Sequence, residues 1–282
     1  MARSLVRLAR LVPRLAAMPS AKRSEFAELA GILAQGVVHA GAGSSAYQAA
    51  ERLAAAVHPS YRFSEYGRVW LDDDAFLDYD AFLDYYRRFM DPGNWHSLDR
   101  KYTLDQLLKV ALAVPGDAAE CGTYKGATAF LICARLAGAG GGEARHLHLF
   151  DSFAGLSEPG ARDGRYWMAG DLSASEVDVH AALSGFEGYS LYPGWIPERF
   201  TEVSERRFAF VHVDVDLYQP TLDAIDFFYP RLTAGGVLLL DDYGFSSCPG
   251  ARAAAGEFFA GRPEAIVELT TGQGLVIKQG GN

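Results

Sequence analysis

Two acidic clusters, each closing a strongly apolar run, carry the chemistry available to this chain. The first is Phe208-Ala-Phe-Val-His-Val-Asp214-Val-Asp216-Leu-Tyr218, and the second is Gly235-Gly-Val-Leu-Leu-Leu-Asp241-Asp242-Tyr243. Carboxylates at the tips of buried strands are costly unless a counter-charge balances them. A divalent cation held by oxygen ligands is the simplest such balance, and open α/β sheets place their chemistry at strand ends. Capping of the following helices or turns accounts for one acid per strand end. It does not account for Asp241 beside Asp242 together with Asp214 and Asp216. His212 shares strand parity with Asp214, which puts both side chains on one face. It competes with Asp216 as a proton acceptor, although the commoner role of such a histidine is support within the core.

A second site lies upstream. Glu120-Cys-Gly122-Thr123-Tyr124-Lys125-Gly126 sits between an apolar strand and a helix. Glycine there lets the backbone approach a ligand, and the helix start favours polar or anionic groups. The spacing is not G-x-G-x-x-G, which disfavours NAD. The next strand ends at Asp151, followed by Ser152. An acid at that place accepts hydrogen bonds from the ribose of a nucleoside cofactor.

The elements that must position these residues alternate from Asp117 onward. Strands are expected at Ala118–Glu120, His146–Phe150, Ser190–Tyr192, Phe208–Val213 and Val237–Leu240. Helices are expected at Thr128–Ala137 and Thr221–Tyr229, and Ser173-Ala-Ser-Glu176 has capping-box spacing before another. The runs at 208–213 and 237–240 are apolar throughout, as strands buried on both faces are. Ala265–Leu269 and Leu275–Lys278, joined by Thr271-Gly-Gln-Gly274, read as a hairpin. The expected fold is α/β, a doubly wound Rossmann-like sheet, mostly parallel and closed by an antiparallel hairpin. Residues 117–282 form this domain. Residues 66–116 are acidic, aromatic and helical, with one helix at Thr103–Ala113. They are expected to serve as a lid over the acceptor or as a contact between copies in a homo-oligomer. Residues 1–65 read as a helical extension.

Composition sets outer limits. The chain has 282 residues, 49% hydrophobic and 22% charged, with net charge −9. That balance argues against nucleic acid, whose phosphates reward a basic face. No apolar run approaches the ~20 residues of a membrane span. Cys121, Cys133 and Cys248 are too few and scattered for a disulfide framework or a zinc pattern, which points to a reducing, cytoplasmic setting with structural thiols. Arg3, Arg7, Arg10 and Arg14 recur at helical spacing opposite Leu5, Leu8, Val12 and Leu15. A basic amphipathic helix over residues 3–15 suits a peripheral membrane surface or a partner, and equally an ordinary packed first helix.

Five motifs taken in order resemble a known family. Glu120-Cys-Gly-Thr-Tyr-Lys-Gly126, Phe150-Asp-Ser-Phe-Ala-Gly-Leu-Ser-Glu-Pro159, Gly194-Trp-Ile-Pro197, His212-Val-Asp-Val-Asp-Leu-Tyr218 and Leu240-Asp-Asp-Tyr243 look like the macrocin O-methyltransferase family, over about residues 95–280. The resemblance implies a Mg²⁺-dependent O-methyltransferase using S-adenosylmethionine, with a sugar hydroxyl on a natural product as acceptor. By motif it implies Asp214, Asp241 and Asp242 as metal ligands and Asp216 as the base. Glu120 and Gly122 would face the methionine part of the cofactor, with Thr123 and Tyr124 in the same turn, and Asp151 and Ser152 would meet its ribose. The adenine contacts would come from the region around Asp171 to Glu176. Two other classes remain open on the residues alone. One is a metal-dependent phosphotransferase or hydrolase built on the same aspartates, though no G-x-x-x-x-G-K-[ST] loop is present. The other is a non-catalytic adaptor that keeps the fold.

Overall fold

A computed structural model describes residues 79–89, 98–138 and 145–280, all within the unit Phe76–Asn282. The expected helical extension over residues 1–65 and the basic helix at 3–15 lie outside the described residues. Seven strands form one sheet in the order β3-β2-β1-β4-β5-β7-β6. They are β1 (Asp117–Cys121), β2 (Leu147–Asp151), β3 (Tyr189–Pro193), β4 (Phe208–Val213), β5 (Leu232–Leu240), β6 (Val267–Glu268) and β7 (Gly274–Ile277). The first five pair in parallel. β7 runs antiparallel to both β5 and β6. This is the expected doubly wound sheet with its antiparallel close. β5 is longer than the apolar run alone suggested, because Leu232–Gly236 continue the strand. β6 is shorter, only two residues.

The described helices are α1 (Tyr79–Phe89), α2 (Leu98–Ala111), α3 (Ala127–Gly138), α4 (Glu176–Ala182), α5 (Tyr218–Arg231) and α6 (Pro249–Phe259). α2 and α5 both pack on β4 and β5, with α3 beside α2 and α6 beside α5. α2 begins at Leu98, five residues before the expected Thr103. α4 is capped by Ser175, whose side chain accepts from the Val177 amide, and not by Ser173 as capping-box spacing suggested. None of the described helices is long and apolar enough to cross a membrane.

The main core lies under α5. Phe228 meets Phe150, Phe200 and Phe208 edge-on at ring-centre distances of 5.8, 4.9 and 5.0 Å, the geometry that aromatic quadrupoles favour. All four rings are essentially fully buried. This packing fixes the carboxyl end of β2 and the amino end of β4, and the candidate site begins at the other end of β4.

Candidate functional site

Register brings the strand-end acids together. Glu120 of β1 lies beside His212 of β4, and Val213 lies beside Leu240 of β5. Backbone bonds carry the pairing past the strand ends: the Asp214 amide donates to Cys121 O and the Asp241 amide to Val213 O, both at 2.9 Å. The approach at β1 is very close. Gly122 has φ +89°, and a Cβ there would sit 1.8 Å from the carbonyl oxygen of Asp214. Only glycine fits, for reasons of both space and backbone conformation.

Asp241 is fully buried and fully partnered. Its Oδ1 accepts from Gln273 Nε2 at 2.7 Å and faces His212 Nε2 at 3.3 Å. Its Oδ2 pairs with Arg100 Nη1. Burial alone would raise this carboxyl, but Arg100, Lys101 and His212 together hold it well below the usual carboxylate range. His212 is also fully buried, with Nδ1 3.0 Å from Glu120 Oε1. Burial alone would lower its pKa; Asp241 and Glu120 overrule burial and lift it to about 9. Both ring nitrogens are thus engaged by carboxylates.

The other three aspartates behave oppositely. Burial and then Asp241 raise Asp214, although Lys101 Nζ stands 3.9 Å from its Oδ2. Burial and then Asp214 push Asp216 up to about 7. Burial, followed by Asp216, Asp214 and Asp241, raises Asp242 well above the ordinary range. Asp216 occupies the left-handed region at φ +59°. Its amide donates to Asp242 Oδ2 at 3.0 Å, and Cys248 Sγ donates to its Oδ1 at 3.4 Å. Among the described residues two sets of potential ligand atoms lie within 4.8 Å of one another: His212, Asp214 and Asp241, and Asp216, Asp242 and Cys248. Asp214 and Asp241 therefore fall in one set and Asp242 with Asp216 in the other.

The donor set suits a hard cation. Four aspartates converge, while among the described residues only Arg100 and Lys101 form ion pairs with them apart from His212. Oxygen donors in excess of local positive charge are the ligands Mg²⁺ and Ca²⁺ take. The cofactor end shows a different kind of vacancy in bonding. Glu120 Oε2 and Thr123 Oγ1 are buried with no hydrogen-bond partner among the described residues. Such atoms are rare because each costs about 1–3 kcal/mol unless a donor arrives.

A cavity of 310 Å³ opens at this turn, reached by Gly122 and Tyr124 and not by Glu120 or Thr123 themselves. Gly122, Tyr124, Asp151, Ser152, Asp214 and Asp216 reach it, as do Leu172 and Trp195. Asp151 is held rigidly: Oδ2 accepts from the Tyr124 amide and Oδ1 from the Phe153 amide, both at 2.7 Å. Trp195 is largely exposed at the cavity rim, Lys125 is exposed, and Tyr218 donates to Glu257 Oε2 at the surface. Cys121 is buried, and burial followed by Glu120 pushes its thiol well up.

Arg100, Lys101, Gln273, Cys248 and Asp163 reach this site without any motif to announce them. Asp163 Oδ1 accepts from the Tyr218 amide at 2.6 Å. It caps α5 from 55 residues upstream in place of an adjacent cap. Trp167 Nε1 donates to Cys248 Sγ at 3.3 Å, tying the same loop to the thiol that touches Asp216. The one signal available in sequence was Gln273, a bulky polar residue between two turn glycines.

Fold and site together define a Rossmann-like α/β domain with its acids at the carboxyl ends of parallel strands. The solved structure of the O-methyltransferase NovP has the same fold: TM-score 0.54, 24% identity, covering 67% of this chain and 84% of that one. Residues 100–263, more than half of the chain, match the model of the macrocin-O-methyltransferase (TylF) family, and the chain belongs to that family. It is 32% identical over 166 residues to the 8-demethyl-8-(2,3-dimethoxy-alpha-L-rhamnosyl)-tetracenomycin-C 4'-O-methyltransferase of Streptomyces olivaceus, covering 54% of this chain and 62% of that protein. It is 30% identical over 162 residues to the demethyldecarbamoylnovobiocin O-methyltransferase of Streptomyces niveus, covering 52% and 59%. The match thus spans about three fifths of the length of each relative.

Proposed function

We propose that this protein is an O-methyltransferase that moves the methyl group of S-adenosylmethionine to a hydroxyl of a sugar or glycosylated natural product, with Mg²⁺ held by Asp214 and Asp241 of one set and drawing in Asp242 from the adjoining set. The observation that carries the reading is the clustering of both acidic pairs at adjacent strand ends, with Asp214 and Asp216 reaching the cavity, within the span matched to the family. The named relatives, which methylate a rhamnosyl-tetracenomycin and a novobiocin precursor, favour a sugar-bearing acceptor.

Each residue has a task in this reading. Glu120 Oε2, buried and without a donor, receives the ammonium of the cofactor's amino-acid part, and Thr123 Oγ1 lies in the same turn. Asp151, fixed by two backbone amides, turns its remaining acceptor capacity toward the ribose, beside Ser152. Tyr124, Leu172 and Trp195 wall the cavity and exclude water. When bound, S-adenosylmethionine supplies an activated methyl group, and Mg²⁺ supplies charge that acidifies and orients the acceptor hydroxyl. Asp216, with its carboxyl poised near neutrality and one oxygen anchored by Cys248, takes the proton that the acceptor oxygen releases. His212 holds Glu120 and Asp241 in place from beneath and does not reach the cavity lining.

The test is calorimetry with S-adenosylmethionine and a labelled-methyl screen of sugar acceptors, each with and without Mg²⁺. Cofactor binding, with transfer abolished by chelator, supports the reading. Failure to bind S-adenosylmethionine in either condition sinks it.

A further inference from the structure

The amino end of α2 is an unexpected place for two cations. A helix start carries partial positive charge, so Arg100 and Lys101 in the first turn oppose the dipole. Both reach the acidic cluster: Arg100 Nη1 pairs with Asp241 Oδ2, and Lys101 Nζ approaches Asp214 Oδ2 at 3.9 Å. The Arg100 pair is incomplete in a telling way. Guanidinium–carboxylate pairs kept for structure are typically bidentate. Here a single nitrogen engages the carboxylate, and Arg100 Nε is buried without a partner among the described residues. Meanwhile Asp241 Oδ1 is occupied by Gln273 and His212. Oδ2 is the oxygen that Arg100 holds.

We propose that Arg100 is a removable counter-ion, occupying at Asp241 Oδ2 the place a divalent cation takes, so that loading the site releases Arg100 and with it the amino end of α2. The inference rests on the metal-dependent reading above. It explains why a buried carboxylate cluster survives folding without a metal, and why the guanidinium leaves a donor unused. It also makes cation affinity a composite quantity. If the Arg100 pair is formed in nine molecules of ten, the observed affinity is about tenfold weaker than that of the open site.

Arg100→Met separates the two terms. Methionine keeps an unbranched stem near the Phe245 ring, whose centre lies 4.9 Å from Arg100 Cζ, but carries no charge. Calorimetric titration of the full chain with MgCl₂ should show binding about tenfold tighter in the variant than in the wild type. In EDTA the same variant should melt at lower temperature, since Asp241 loses its main partner. Equal or weaker Mg²⁺ binding in a folded variant overturns the inference. Hydrogen exchange of the wild type gives an arm that needs no variant. On adding MgCl₂, amides of residues 98–104 should exchange faster while those of β4 and β5 slow. Slower exchange at 98–104 overturns the proposal by itself. Absence of Mg²⁺ binding heat and of any exchange change in the wild type refutes the metal reading instead.

Discussion

Asp216→Asn should stabilise the metal-free protein, and the size of the effect follows from the crowding at the strand ends. Asparagine suits this position: it tolerates φ +59° better than most residues, and its side-chain oxygen can still accept from Cys248 Sγ. What is lost is a buried charge. The folded chain keeps the Asp216 proton up to about pH 7, whereas an unfolded aspartate releases it near pH 3.9. The folded state is therefore the stronger proton binder. Its stability is full below about pH 4 and falls as pH rises toward 7, by up to about 4 kcal/mol at ~1.4 kcal/mol per pH unit. Burial is the largest cause, with Asp214 next. Because the neighbouring acids share part of that strain, a gain of roughly 2–4 kcal/mol is expected at pH 8, and none near pH 4. Urea unfolding in EDTA at pH 4.5 and pH 8 measures it; in a thermal melt the shift should be roughly 5–15 °C upward at pH 8. Asp241→Asn should do the reverse, costing about 3–5 kcal/mol, because Arg100 and His212 would remain buried against a neutral side chain. A wild type that is more stable than Asp216→Asn at pH 8 would refute the picture of unbalanced charge.

Gly122→Ala should abolish S-adenosylmethionine binding in calorimetry and lower the melting temperature, because the new methyl meets a backbone oxygen that has no room to yield. With MgCl₂ present, Asp214→Asn should lose the cation while Asp216→Asn retains it and loses methyl transfer; equal loss of Mg²⁺ in both removes Asp216 from the base role. Phe228→Ala empties the centre of four interlocking rings and should cost about 3–5 kcal/mol in urea unfolding. Cys121, Cys133 and Cys248 are buried free thiols, each pushed upward first by burial. Iodoacetamide at pH 8 should leave all three unmodified in the native protein and label all three in urea, as read by mass spectrometry.

Much of this molecule is legible in its letters, and the reason differs by region. Strands β4 and β5 announce themselves because burial on both faces forces an unbroken apolar run, and the acids that end them stand out against it. The parallel direction of the strands follows because parallel connections need intervening helices, whereas the order β3-β2-β1-β4-β5-β7-β6 does not, since alternation alone leaves it open. The counter-charges are another matter. Arg100 lies 141 positions from Asp241, and nothing local to a helix start signals that its side chain will cross to a sheet edge. Gln273 looks like a turn residue because the glycines around it are what a hairpin requires. Asp163 sits in a loop without periodicity, yet it caps a helix far downstream. Pairing between distant segments leaves no periodic trace, so the acids are legible and their partners are not. The cap of α4 slipped by two residues for a related reason: Ser173 and Ser175 present the same hydroxyl, and only backbone direction decides between them.

The antiparallel insertion of β7 has a consequence for how the molecule comes into being. Gln273, at its threshold, donates both to Asp241 Oδ1 at 2.7 Å and, more loosely at 3.4 Å, to the backbone oxygen of Arg100. These three residues come from segments synthesised far apart, and the one that ties them together emerges last. During translation the acids of β4 and β5 exist for some time with no amide to stitch them to α2. Contacts of such long sequence separation form slowly. The nascent domain should thus pass through a stage in which its sheet is assembled but its charged rim is still open, and the strand that seals the rim is the one laid down in the opposite direction to all its parallel predecessors.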